Sequence, residues 1–201
     1  MGRYASDSGG GGDFQAVKPG TYIARSFRIV DIGTQHGEYK GEPTVRNQFI
    51  LFWELPTEPI DVNGEQKPTI VSKFYTASLH EKSNLRHDLQ SWRGKEFTSE
   101  ELKGFDLTQV LGKPCFLTIV STSSGKSKVS AVTGLPKGTT CPPAVNPVSN
   151  FWVNEWSEEA FNNLSDGLKK LIQNSDEYKA LKNGNPHTLE PADKEDDGLP
   201  F

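Results

Sequence analysis

The sequence is poor in the residues that build disulfide frameworks and membrane spans. It has two cysteines, Cys115 and Cys141, and no Cys-x-x-Cys pair. No window approaches the roughly 18 consecutive apolar residues of a transmembrane helix. The first residues, Met1-Gly2-Arg3-Tyr4, lead into serine and glycine instead of the apolar run of a secretory signal. These absences indicate a cytoplasmic protein with free thiols, and they argue against a secreted or membrane protein.

Motifs for catalysis and cofactor binding are also missing. Gly125-Lys126-Ser127 matches the end of a phosphate-binding loop, but the position of the first glycine is occupied by Val120, so a hairpin turn is the better interpretation. His80 and His87 lie two helical turns apart with no second pair of metal ligands nearby. No Gly-x-Ser-x-Gly motif marks a nucleophile. The sequence therefore predicts no cofactor, no metal site and no enzymatic activity.

The net charge of −4 combines two regions of opposite sign. Residues 1–150 contain 17 lysines and arginines against 15 acidic residues, whereas residues 151–201 contain 5 against 11. The chain therefore has a mildly basic body and an acidic C-terminal region. A body charge of +2 permits nucleic-acid binding but does not require it.

Strand signals dominate the first half of the chain. Residues 1–18 are rich in glycine, serine and aspartate, which predicts a disordered segment. Three stretches rich in β-branched and aromatic residues then predict long strands: Thr21–Ile32, Val45–Leu55 and Thr69–Ser78. The polar residues 33–43 predict a mobile loop, and Asn63-Gly64 predicts a tight turn with positive φ angles.

Helical spacing follows the third strand. Leu85, Leu89 and Trp92 predict a helix with a capping box at Ser78-Leu79-His80-Glu81, and Thr98-Ser99-Glu100-Glu101 predicts a second one. Two more strands, 115–122 and 126–133, form a predicted hairpin, followed by a proline-containing loop over residues 134–150. Ser157 is the predicted cap of one amphipathic helix to about residue 181. Its apolar stripe is formed by Phe161, Leu164, Leu168, Leu171 and Ile172.

Three strands, a helical insert and two further strands is the element order of an OB-fold, a five-stranded Greek-key barrel. We therefore predict a mainly β chain with the barrel over residues 19–153 and the helical insert between its third and fourth strands. The helical segment covers residues 154–182, and a disordered acidic tail covers residues 183–201. An unrelated sandwich of five or six strands is the alternative.

Aromatic and basic residues are interleaved on the predicted strands. Single-strand binding requires cations for the phosphates and flat side chains on which bases stack. About half of the aromatic residues must fill the core, and Phe27, Phe49 and Phe74 are the candidates with apolar neighbours. Tyr39 and Lys40, in a glycine-flanked polar loop, are the strongest candidates for DNA contact. The full predicted set is Arg25, Arg28, Tyr39, Lys40, Arg46, Trp53, Lys73, Tyr75, Lys126 and Lys128.

The C-terminal residues combine negative charge with a final aromatic side chain. Phe201 would fill an apolar pocket on a partner, its carboxylate would meet a basic residue, and the aspartates would steer the approach. The predicted partner-binding residues are Asp196, Asp197, Leu199, Pro200 and Phe201.

This tail resembles the C-terminal tip of bacterial and phage single-stranded DNA-binding proteins, in which several aspartates precede Pro-Phe. Gly198 is a mild departure from that pattern. The body resembles phage-encoded replication proteins of the same type over Met1–Phe14, Thr21–Gln35 and Asn84–Lys95. The resemblance implies a protein that coats single-stranded DNA in the bacterial host cytoplasm. It further implies that the protein recruits replication or recombination proteins through its tip.

Two other functions stay open at this point. The chain could be an adaptor for replication initiation or recombinase loading that acts mainly by protein contact. It could also be a Mg²⁺-dependent nuclease with an OB-like body. The oligomeric state is open as well, and a homo-oligomer is one of the possibilities.

Overall fold

The computed structural model describes residues 17–123 and 125–184. The described chain is mainly β. Its six strands are β1 (Gly20–Tyr39), β2 (Glu42–Val62), β3 (Glu65–Thr76), β4 (Pro114–Ser121), β5 (Ser127–Thr133) and β6 (Ser149–Phe151). Its helices are α1 (Asn84–Arg93), α2 (Ser99–Lys103), α3 (Glu158–Asn162), α4 (Asp166–Gln173) and α5 (Asp176–Lys182), with a 3₁₀ turn at Leu107–Val110. No helix of the described part combines the length and the apolar content needed to cross a bilayer.

The strands form one sheet in the order β3-β2-β1-β4-β5, with neighbours antiparallel. The short β6 pairs in parallel with β1. Strand β1 is shared between two neighbours, because Gly20–Arg25 pairs with β4 while Arg25–Tyr39 pairs with β2. Among the described residues no strand pairing joins β3 to β5, so the sheet is not closed, although their Cα atoms approach to within 8 Å.

The first two strands continue well beyond the rest of the sheet as a two-stranded ribbon. We call residues 33–48 the arm. The predicted loop over residues 33–43 is therefore wrong, since the chain turns only at Lys40-Gly41, where φ is 52° and 87°. Two successive residues with positive φ form the tight turn that suits a twisted hairpin. Most of the arm's exposed side chains are polar, with Val45 as an exception, and this polar composition is why the sequence predicted a loop.

The turn at Asn63-Gly64 and the helix cap at Thr98 are confirmed, whereas the predicted helix cap at Ser78 is not. Asn63-Gly64 makes the predicted turn, with φ of 57° and 86°. The capping box at Thr98 is confirmed, since its side chain accepts from Glu101 N while the Glu101 carboxylate accepts from Thr98 N. The predicted cap at Ser78 is wrong, because α1 begins later and is capped by Ser83.

Two hydrophobic clusters lie on opposite faces of the sheet. The inner cluster joins β1–β5 to the helical insert, and Leu85, Leu89 and Trp92 of α1 are buried in it as predicted. The outer cluster joins the other face of β1 and β2 to β6 and the C-terminal helices. The C-terminal segment therefore packs directly on the sheet.

The single C-terminal helix that we predicted is three short helices. The helices α3, α4 and α5 are capped in turn by Ser157, Ser165 and Ser175. A serine hydroxyl that accepts from a backbone N–H three residues later starts a new helix, so each serine interrupts the periodicity. The apolar stripe still packs on the outer cluster.

Candidate nucleic-acid interface

The outer face of β3 leaves an aromatic side chain open to solvent. Phe74 is 52% exposed and Ile70 is 37% exposed. They share this face because residues two or four apart on a strand point to the same side. The neighbouring positions on β2, Ile50 and Phe52, are covered by the C-terminal segment. The exposed patch on β3 is therefore the part of the outer face that the segment leaves open.

The placement of Phe74 corrects our core assignment. Tyr75, the next residue, takes the core position and is 3% exposed, with its ring stacked on Phe49 at 5.6 Å between centroids. Adjacent residues of a strand face opposite sides of the sheet, and the outer side is not covered at β3, so the member of this pair that faces outward is exposed. The burial predicted for Phe27 and Phe49 is confirmed.

A cation lies on the same face of the sheet, on β1, two strands away from Phe74. The Arg28 guanidinium carbon is 4.2 Å from the centroid of the Phe52 ring and 5.8 Å from that of Phe27. The strand register places Arg28 opposite Phe52, and Phe52 opposite Ser72, which is two residues from Phe74. The predicted contact residue Arg28 thus lies on the sheet face that carries Phe74, with the buried Phe52 ring between them.

This surface continues along the arm. Residues 42, 44, 46, 48 and 50 of β2 alternate onto one face, so Arg46 lies on the face of Ile50, whose partner on β3 is Phe74. At the tip Tyr39 is 38% exposed and pairs with Glu42 on that face, with the Lys40 ammonium 5.4 Å from the Tyr39 ring centroid. The eight steps from residue 42 to residue 50 span about 26 Å at about 3.3 Å per step. We call this surface the outer strip; its members are Ile70, Phe74, Arg28, Arg46, Tyr39 and Lys40.

Three predicted contact residues lie in the interior instead. Trp53 is fully buried in the inner cluster. Tyr75 and Lys73 both donate to Asp88 Oδ2 of α1, each at 2.6 Å, and burial raises the pKa of Tyr75 above its usual range. The interpretation of Trp53 and Tyr75 as stacking platforms is wrong because neither ring presents a face to solvent. Lys73 is held in an ion pair between β3 and α1.

Arg25 also has a structural role. Its guanidinium donates to the carbonyls of Gly112 at 2.9 Å and Pro142 at 2.8 Å. The opposite residue on β2, Glu54, is buried and accepts from the backbone N–H groups of Val145 at 3.0 Å and Asn146 at 2.8 Å. This pair of residues holds the loop before β6 against the outer face, so the predicted contact of Arg25 with DNA is not supported by its geometry.

The last two predicted contacts lie apart from the outer strip. Lys126 and Lys128 are exposed around the start of β5. The end of β4 lies beside Gly20 at the start of β1, whereas Tyr39 is at the other end of that strand. The structure therefore brings Arg28, Tyr39, Lys40 and Arg46 onto one surface and leaves the two lysines on another.

Sequence reasoning missed Phe74 and Ile70 as surface residues. Alternation of side chains along the strand would have placed both on the face opposite to Tyr75. The predicted partner-binding residues in the tail lie outside the described residues, so the described site does not include them.

The described part of the chain offers aromatic and cationic side chains but no metal centre. Within residues 17–123 and 125–184, no group of three histidine, cysteine, aspartate or glutamate residues could hold a metal ion. No protein-family model matches the sequence, and no curated protein matches it either. The geometry of the outer strip is therefore the main indication of function.

Proposed function

We propose that this chain binds single-stranded DNA on the outer strip of an OB-type barrel. OB-folds bind oligonucleotides through the face of their second and third strands and through the loop between the first and second. The outer strip lies on that face at β3 and continues along the arm, which is formed by the ends of β1 and β2. This coincidence of exposed aromatic and basic residues with the expected face is the observation that carries the proposal.

The strand connectivity supports an OB-type barrel. The order β3-β2-β1-β4-β5 is the order obtained when a five-stranded Greek-key barrel is opened between its third and fifth strands. Those two strands approach each other here, and the helical insert follows β3, where the OB-fold has its helix. The long β1, shared between β2 and β4, also fits this connectivity.

The chemistry of the strip favours single strands over duplex. Phe74 and Tyr39 offer flat faces to unstacked bases, and a base stacked on an aromatic ring contributes about 1–3 kcal/mol. A paired, stacked duplex presents no such bases. Arg28, Arg46 and Lys40 would meet phosphates, and three cations are too few to hold a duplex tightly by charge alone.

The acidic tail extends the proposal to partners. Its resemblance to the tips of single-stranded DNA-binding proteins supports recruitment of replication or recombination proteins through Phe201. The barrel would then hold the strand while the tip holds the enzyme that processes it.

Binding of labelled 30-mers followed by fluorescence anisotropy tests the proposal. We expect single-stranded DNA to bind well above duplex, with little dependence on sequence, and an RNA 30-mer shows whether the strip distinguishes the sugar. Arg46→Ala should reduce the slope of log K against log salt by about 0.7, the value for one phosphate contact on a single strand. Lys137→Ala, at an exposed loop position that is not a member of the strip, is the matched control and should leave the slope unchanged. Equal affinity for duplex and single strand would exclude the proposed function.

A further inference from the structure

The base of the arm is bound to the C-terminal helices through a buried carboxylate. Glu177 of α5 is 6% exposed. Its Oε2 accepts from Thr34 N at 2.7 Å and its Oε1 accepts from the Thr34 hydroxyl at 2.6 Å. Thr34 lies on a stretch of β1 that β4 does not reach, because the pairing of β4 with β1 is confined to Gly20–Arg25. Glu177 therefore supplies the acceptor that a further strand would have supplied to this N–H.

The next two residues of the arm are tied to the same helices. The Gln35 side-chain amide donates to Leu171 O of α4 at 3.1 Å. The His36 ring lies 2.7 Å, Nε2 to Oδ2, from Asp176 of α5. Three successive residues of β1 thus contact α4 and α5 just where the strand leaves the barrel.

The contact is close enough to require glycine at the first position of the arm. Gly33 follows a register shift in β1 and has φ of 69°. A Cβ at this position would overlap Glu177 Oε2 and lie 2.8 Å from Ser175 Cβ. Asp31 accepts from Gly33 N at 2.9 Å and from Val153 N at 3.1 Å, which ties the same bend to the chain after β6. Burial raises the pKa of Asp31, and the charge of Glu177 adds to that effect.

We propose that Glu177 is a positioning residue that fixes the direction of the arm relative to the barrel, and so keeps the two halves of the outer strip on one path. The inference rests on the proposed function, because the arm carries Arg46, Tyr39 and Lys40. An arm held in place before binding loses less conformational freedom when DNA arrives, and affinity improves accordingly. The C-terminal segment would thus contribute to DNA binding without contacting DNA.

The test compares Glu177→Ala with Glu177→Gln. The alanine variant leaves Thr34 N without its acceptor. The glutamine variant restores both contacts, since its carbonyl accepts from that N–H and its amide donates to the Thr34 hydroxyl. Glu159→Ala, on an exposed position of α3, is the control for the loss of one charge from the same segment.

Two measurements separate the proposal from the function on which it rests. The first is hydrogen exchange without DNA. Glu177→Ala should speed exchange of the amides of residues 34–47 about tenfold or more, while residues 51–55 in the centre of β2 stay protected. The second is single-stranded DNA affinity as a function of salt. It should fall about threefold to tenfold in Glu177→Ala, and the salt slope should decrease by up to about 1.4, the loss of two phosphate contacts.

The possible results bear separately on the positioning role of Glu177 and on the proposed function. Unchanged exchange in the arm, or faster exchange throughout the sheet, overturns the positioning role whether or not DNA binds. Faster exchange in the arm with unchanged DNA affinity and slope also overturns it, because the arm would then not serve the strip. A wild-type protein that binds no DNA refutes the proposed function alone. Recovery of both readouts in Glu177→Gln supports the assignment, since a general loss of folded protein would lower affinity equally at all salt concentrations.

Discussion

Replacing Phe74 by leucine separates base stacking from every other contribution of this residue. Leucine keeps an apolar side chain of similar bulk on β3 but offers no flat face. Phe74 is 52% exposed, so only about half of its surface packs on the protein. The change in stability should therefore stay below about 1.5 kcal/mol, the usual limit for apolar replacements of similar volume.

The expected loss of DNA affinity has a separate cause, the loss of the flat aromatic face. An aromatic platform contributes about 1–3 kcal/mol per stacked base, and leucine keeps part of the apolar contact. We expect Phe74→Leu to weaken binding by about 1–2 kcal/mol, which is roughly 5-fold to 30-fold. The salt slope should not change because no cation is removed. Phe74→Trp, which keeps a flat face, should bind at least as tightly as the wild type.

Fluorescence anisotropy with a labelled oligonucleotide, together with thermal unfolding, measures both quantities. Phe49→Leu is the matched control: Phe49 is 2% exposed and stacks on Tyr75 in the inner cluster. That variant should unfold at a lower temperature yet bind with wild-type affinity where it is fully folded. Wild-type affinity in Phe74→Leu would refute the assignment of the outer face of β3 to DNA.

Two further predictions concern the thiols and the tail. Burial raises the pKa of Cys115 well above its usual range, so iodoacetamide at pH 8 should modify the half-buried Cys141 first and Cys115 only after unfolding; comparable rates in the native protein would contradict the burial. Truncation after Asn183 removes five acidic residues and should tighten DNA binding modestly at low salt, whereas Phe201→Ala should bind DNA normally and lose its partners; unchanged low-salt affinity of the truncated chain would exclude competition by the tail.

The sequence predicted the order of the elements well, because that order depends on local signals. The change from strand periodicity to helical spacing located the helical insert. The turn at Asn63-Gly64 and the helix cap at Thr98 depend on local backbone geometry, so both could be predicted without tertiary information. Closure of the sheet into a barrel would require β3 and β5 to pair; these strands are far apart in sequence, and no local pattern reports their approach.

The errors at the site have a common physical origin. A strand pattern shows which residues share a face, but it does not show which face is covered. On β3 the choice between Phe74 and Tyr75 depended on Asp88 of α1, which gives the buried tyrosine hydroxyl a partner. On the arm the polar composition predicted a loop, because no core demands apolar residues there. Glu177 could not have been predicted as a neighbour of Thr34, since 143 residues separate them.

The balance between charge and stacking explains how a body of only +2 could select single strands. Three strip cations, Arg28, Arg46 and Lys40, would give a salt slope of about −2, so affinity would fall only about 20-fold between 50 and 200 mM salt. Two stacked bases, on Phe74 and Tyr39, would contribute about 2–6 kcal/mol that salt does not screen. Stacking would therefore supply much of the binding at physiological salt, and stacking is the contribution that a duplex cannot make.

The sequence from Leu107 to Asn154 contains no acidic residue, so β4, β5 and the following loop carry no negative side chain to repel a strand that passes beyond the strip. A tethered acidic tail would compete with phosphates at low salt and much less at 0.15 M, where screening shortens the reach of exposed charges to about 8 Å.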